Sequence, residues 1–211
     1  MKKDSEMFSF IKNNKDWTVI KNKGHELNYL VQIEDNIVYL FFQESDGKKD
    51  WKDNLDFIPI PCKVYRNQES HMICHRGFVK EYKSGNDQIM AEVIAACELL
   101  NNPKVVISGW SNGAAMATLA AEDFFYRYGI RPTVVTFGNP KVCFDPSTAL
   151  HILLCCETFR EYCNRNDIVT KVPPIGWHVN RFPLDKKHLF GIFDPWKYHC
   201  NYDEVLKNDG R

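Results

Sequence analysis

Residues 105 to 113 read Val-Val-Ile-Ser-Gly-Trp-Ser-Asn-Gly, an apolar β-branched run leading into a serine flanked by glycines. A serine on a sharp strand-to-helix turn presents its oxygen for attack on a carbonyl carbon. Gly109 and Gly113 remove side chains where the strand and the following helix must pass close together. A hydroxyl is a poor nucleophile at neutral pH. It needs an imidazole to take its proton and a carboxylate to hold that imidazole in one tautomer.

On a turn of this kind the partners follow in the order serine, acid, histidine. Asp167, within Asn164-Arg-Asn-Asp-Ile-Val, follows a strand-like stretch and precedes Pro173 and Pro174. Asp145, Asp185 and Asp194 compete from loop-like contexts beside proline or lysine. The candidate bases are His178, His188 and His199. His178 lies between Trp177 and Val179 in a strand-like run, which suits a hydrogen-bonded core histidine better than a base. His199, in Tyr198-His-Cys-Asn-Tyr, comes late enough in the chain to return over the sheet edge. Asp167 and His199 are therefore preferred, with the others kept open.

These residues need strands and helices to position them. Lys104 to Ile107, behind the breaker Pro103, has the composition of a strand buried on both faces, and Ala114 to Tyr128 that of a helix ending at Gly129. Tyr29 to Ile33 and Ile37 to Phe42, separated by Glu34-Asp35-Asn36, predict an antiparallel hairpin near the amino terminus. Ile89 to Leu100 and Phe78 to Tyr82 have helical periodicity, and Met7 to Lys12 predicts a short amphipathic helix. Thr133 to Phe137, Thr158 to Tyr162 and Trp177 to Phe182 are rich in strand-forming types. Strands alternating with helices behind a hairpin predict an α/β architecture, a mixed sheet with helices on both faces.

With 211 residues and 44 % hydrophobic content, one domain over 1–211 is expected. Lysine plus arginine equals aspartate plus glutamate at 27 each, which disfavours a nucleic-acid partner. No secretion signal or membrane span is visible, so a cytoplasmic location is expected. The eight cysteines contain no Cys-x-x-Cys pair and mostly lie in apolar segments, so buried free thiols are expected in place of disulfides or a metal site.

Several segments in order carry a resemblance to a known family. They are Phe41-Phe-Gln-Glu-Ser, Asp50-Trp-Lys-Asp-Asn-Leu, His75-Arg-Gly-Phe, the elbow from Gly109 to Gly113, Thr136-Phe-Gly-Asn-Pro, Asn166-Asp-Ile-Val with Pro173 and Pro174, and His199 to Tyr202. The chain resembles the class 3, fungal-lipase-like family of α/β hydrolases. The resemblance implies the α/β-hydrolase fold, with a mostly parallel central sheet. It also implies hydrolysis of acylglycerol-type or other lipid esters through Ser111, Asp167 and His199, with no cofactor or metal. It suggests an oxyanion hole from Ser45 and Asn112, since the alkoxide formed on attack needs preorganised donors. The expected partner is a lipid or small ester substrate, with transient lipid-surface contact. The alternatives are a catalytically silent lipid- or protein-binding member, or an acyltransferase or thioesterase using the same three residues.

Three departures from the family pattern bear on this expectation. Trp110 and Asn112 stand in the elbow where the family commonly has histidine and leucine. The Asn112 side chain is expected to make the acyl site more polar, and Trp110 to contact substrate. Glu44 stands where the family commonly has glycine. A carboxylate about 6 Å from the oxyanion would oppose it by about 3 kcal/mol at an effective dielectric of about 20, unless strand alternation sends Glu44 and Ser45 to opposite sides. The charged stretch from Asp46 to Trp51 occupies the place of the family's lid and offers only Trp51 and, just beyond it, Leu55 as apolar members, which predicts weak interfacial activation. His75-Arg76-Gly77-Phe78 is expected to start a helix packed near the elbow.

Overall fold

The computed structural model describes residues 1–22, 24–43, 56–63, 72–184 and 195–208. Among these, seven strands form one sheet in the order β1 (Thr18–Asn22), β2 (His25–Glu34), β3 (Ile37–Phe42), β6 (Lys104–Trp110), β7 (Thr133–Phe137), β8 (Thr158–Asn164) and β9 (Arg181–Leu184). The first three pair antiparallel, and from β3 to β9 every pairing is parallel. A two-stranded ribbon, β4 (Pro59–Pro61) with β5 (Ile73–His75), lies apart from it. The hairpin and the mostly parallel sheet are as expected. Strand β1 was not anticipated, because Thr18–Asn22 has no apolar alternation strong enough to mark it.

Strand alternation divides the core into two layers. Val38, Leu40, Phe42, Val105, Ile107, Val134 and Phe159 face α2 (Arg76–Lys83), α3 (Asn86–Glu98), α4 (Asn112–Tyr128) and α5 (Pro146–Leu154). Tyr39, Phe41, Val106, Trp110, Val135, Phe137 and Tyr162 face α1 (Asp4–Asn13) and α7 (Tyr202–Asn208). Full burial of each large apolar side chain contributes about 1.5–3 kcal/mol. Both faces of the sheet are therefore sealed, which is why its central strands are apolar throughout.

Local signals explain the helix ends. Gly129 closes α4 in the left-handed region, with φ +69° and its N–H bonded to Phe125 O. Asp145 caps α5 by accepting from Thr148 N at 2.9 Å, with Pro146 in the first turn. Asp145 is thereby a cap and not the partner of the histidine. The buried carboxylate of Asp123 accepts from Tyr82 Oη, Asn86 Nδ2 and Arg127 Nε at 2.9, 2.9 and 2.6 Å, which joins α2 and α3 to α4. All eight cysteines are free thiols.

The strand expected over Trp177 to Phe182 begins only at Arg181. The carboxylate of Glu161 takes the Val179 and Asn180 N–H groups at 2.9 and 3.2 Å. Those amides are satisfied by a side chain, so ladder pairing is postponed to Arg181.

Candidate active site

Ser111 occupies the single residue between the end of β6 and the start of α4. Its backbone is at φ 58° and ψ −127°, a region that a residue with a Cβ rarely adopts. The surroundings hold it there. A Cβ at Gly109 would lie 2.2 Å from Gly113 O, and one at Gly113 would lie 2.6 Å from Phe42 O, so only glycine lets α4 start this close to β6 and β3. Ser111 N donates to Phe137 O and Ser111 O accepts from Ala114 N, both at 3.0 Å, which clamps the bend from both sides.

Asp167 follows β8 in a turn and is fully buried. Its Oδ1 accepts from Val169 N at 2.8 Å. Its Oδ2 accepts from Tyr202 Oη at 2.7 Å and meets His199 Nδ1 at 2.8 Å. A carboxylate only accepts, so neutral His199 carries its proton on Nδ1 and presents a lone pair on Nε2. Burial, followed by the negative charge of Asp167, pushes the Tyr202 hydroxyl well above the usual tyrosine range, so it remains a donor.

His199 ends α6 (Pro195–His199), and its ring is packed between two indoles. Trp110 lies at a centroid distance of 5.2 Å and Trp196 at 5.9 Å. Gly138, with φ +58°, leaves room beside the acid and base: a Cβ there would sit 2.8 Å from His199 Cε1 and 2.9 Å from Asp167 Oδ2. Ser111 Oγ and His199 Nε2 are both buried and have no hydrogen-bond partner among the described residues. An acid-oriented imidazole and a hydroxyl on a strained bend are what proton abstraction from the serine needs, and such bonds commonly tighten only when substrate is bound. Ser111 and His199 are 0 % and 1 % exposed.

The lipase (class 3) family matches residues 39–177 of the chain. The chain belongs to the class 3 lipase family. A lipase of Rhizomucor miehei is 27 % identical over 144 residues, which cover 66 % of this chain and 38 % of that protein. Phospholipase A1-IIgamma of Arabidopsis thaliana is 26 % identical over 182 residues, covering 72 % and 43 %. The chain thus spans about two fifths of the length of these curated relatives. The structure of a triacylglycerol lipase, described as having a serine protease triad at its catalytic centre, superposes with a TM-score of 0.67 at 25 % identity, over 81 % of this chain and 68 % of that one.

Set against this class 3 framework, Asp167 and His199 meet in space, and Ser111 sits on the expected elbow. Ser45, Glu44 and the lid stretch with Trp51 lie outside the described residues, as do Asp185, His188 and Asp194. His178 belongs to the core: Nδ1 lies 2.6 Å from Glu161 Oε1 and Nε2 2.9 Å from Thr170 O, which leaves neither nitrogen for Ser111. Glu161, Cys163 and His178 are near enough together to hold a metal ion. Glu161 and His178 already satisfy one another and the adjoining backbone without one.

Both neighbours of Ser111 in the elbow have partners in the core. Asn112 Nδ2 donates to the buried Glu81 Oε1 at 2.6 Å. Trp110 is the last residue of β6. Alternation along β6 turns it to the α1 face, where it is 9 % exposed and packs edge-on against Phe8 at 5.6 Å. His75 packs as expected, with Nδ1 2.9 Å from Phe57 O at the start of α2. Sequence reasoning missed the roles of Tyr202 and Gly138. Both lie in segments that carried the family resemblance, but nothing in residue type alone marks a tyrosine as a donor to the acid.

Proposed function

We propose that the chain hydrolyses carboxylic esters of lipids by way of an acyl-enzyme on Ser111. His199 Nε2 takes the Ser111 proton as Oγ bonds to the ester carbonyl carbon. The resulting oxyanion collapses, the C–O bond to the alcohol breaks, and the alcohol leaves with the proton held by His199. Water then repeats the sequence, releasing the carboxylic acid and free serine. Asp167 holds His199 in the required tautomer throughout.

The Asn112 N–H is the proposed oxyanion donor on the described side of the site. It is the first amide of α4, where the helix supplies no internal acceptor and where the dipole favours negative charge. Ser45 is the proposed second donor. Acylglycerols and phospholipids are the proposed substrate classes, in line with the names of the lipase and phospholipase A1 relatives. The charged composition of residues 46–54 supports weak interfacial activation and better turnover of short, dispersed esters.

The observation that carries this proposal is the 2.8 Å contact of His199 Nδ1 with Asp167 Oδ2, together with a serine held at φ 58° on the elbow. The test is a fluorophosphonate label together with an ester panel. Covalent capture and hydrolysis that both vanish in Ser111→Ala support the proposal. A chain that neither labels nor hydrolyses is a binding member of the family, and label capture with acyl transfer to alcohols in place of water makes it a transferase.

A further inference from the structure

Trp110 makes two contacts with His199. Its indole Nε1 donates to the His199 carbonyl at 3.1 Å, across 89 residues of sequence, and its ring lies against the imidazole at 5.2 Å with an interplanar angle of 30°. One contact fixes the backbone of the base and the other fixes its ring plane. The indole is itself held from behind. Phe8 of α1 packs against Trp110 at 5.6 Å, Phe137 at 5.2 Å and Tyr202 at 5.5 Å. On the same helix Lys12 Nζ donates to Cys200 O at 2.8 Å and pairs with Asp203 at 3.6 Å, gripping the residues just after the base.

We infer that Trp110 is a positioning residue for His199, and that α1 is the clamp that keeps the indole in place. A histidine on a five-residue helix has little local structure to fix its rotamer. An imidazole displaced by about 1 Å can lose about a hundredfold in rate. Asp167 constrains the ring at Nδ1 only, which still permits rotation about that bond. The indole face limits this rotation, and its N–H sets the height of the backbone above the sheet.

The inference rests on the triad proposed above, and its test separates the two. The chain and its Trp110→Phe and Trp110→Leu variants are compared by p-nitrophenyl butyrate kinetics, thermal unfolding and the low-field proton resonance of His199 Nδ1–H, assigned by its loss in His199→Gln. Trp110→Phe keeps a ring and removes one hydrogen bond. It is expected to lower kcat by about threefold to tenfold, the worth of one such bond, with KM unchanged and the resonance broadened. Trp110→Leu is expected to lose more kcat and the resonance itself. Unchanged kcat in Trp110→Phe, changes in kcat and KM that merely follow the melting temperature, or a His199 resonance that is absent from the wild type or equally sharp in all three proteins would overturn the inference. If hydrolysis proves independent of Ser111, the triad proposal fails, while the resonance still reports whether Trp110 holds His199.

Discussion

Tyr202 Oη and His199 Nδ1 meet the same oxygen of Asp167, at 2.7 and 2.8 Å. The tyrosine also accepts from Asn164 N at 3.0 Å, so one phenol ties the end of β8, the acid and the start of α7 together. Removing its hydroxyl loosens the acid without touching the base. Tyr202→Phe is expected to lower kcat/KM by about tenfold or more, since a hydrogen bond to a charged group contributes about 1.5–3 kcal/mol. Steady-state ester hydrolysis measures this directly.

Gly138→Ala is expected to separate activity from stability. The left-handed backbone costs an alanine about 1–2 kcal/mol, whereas the new methyl group would displace the acid and base from contact and lower kcat/KM by about a hundredfold. Kinetics and urea unfolding of the same preparation read the two effects. Loss of stability with full activity would contradict the contact distances at this glycine.

The Asn112–Glu81 bond joins the first residue of α4 to α2 in a buried setting. Glu81→Leu is expected to cost about 2 kcal/mol of stability, the range for a hydrogen bond to a charged group. Urea midpoints measure that loss. Activity is expected to fall as well, because the Asn112 amide follows the nucleophile.

Alkaline pH is expected to destabilise the fold. Burial first, and then the charges of Asp123 and Asp167 respectively, push Tyr82 and Tyr202 well above 10. Between the unfolded value near 10 and the raised folded values, the unfolded chain has lost these protons while the folded chain keeps them. Stability is therefore fully present below about pH 10 and declines as pH rises above it. Melting temperatures recorded from pH 8 upward test this, and a flat profile through pH 11 would refute it.

The elbow was legible in the sequence because close approach of two backbones demands glycine, and glycine is visible as a letter. Asp167 was legible because a strand, a polar turn and two prolines bracket it. His199 needed the order of the three residues and the family resemblance to separate it from His178, whose ring nitrogens are taken by Glu161 and Thr170. The start of β9 was not legible, since it depends on a carboxylate 18 residues earlier capturing the amide of Val179. The packing of Trp110 against α1 was not legible for a related reason. Alternation along β6 was readable, but which face of the sheet carries α1 is a tertiary fact.

The clamp on the histidine has a consequence for folding. Asp4 bonds Arg160, Phe8 packs against Tyr202, and Lys12 reaches Cys200, so α1 finds its partners far along the sequence. A chain in which these contacts have not formed carries the serine and the acid, yet has no completed machinery. Until those distant partners dock, the apolar side of α1 stays uncovered, and it is the segment that a chaperone would be expected to hold.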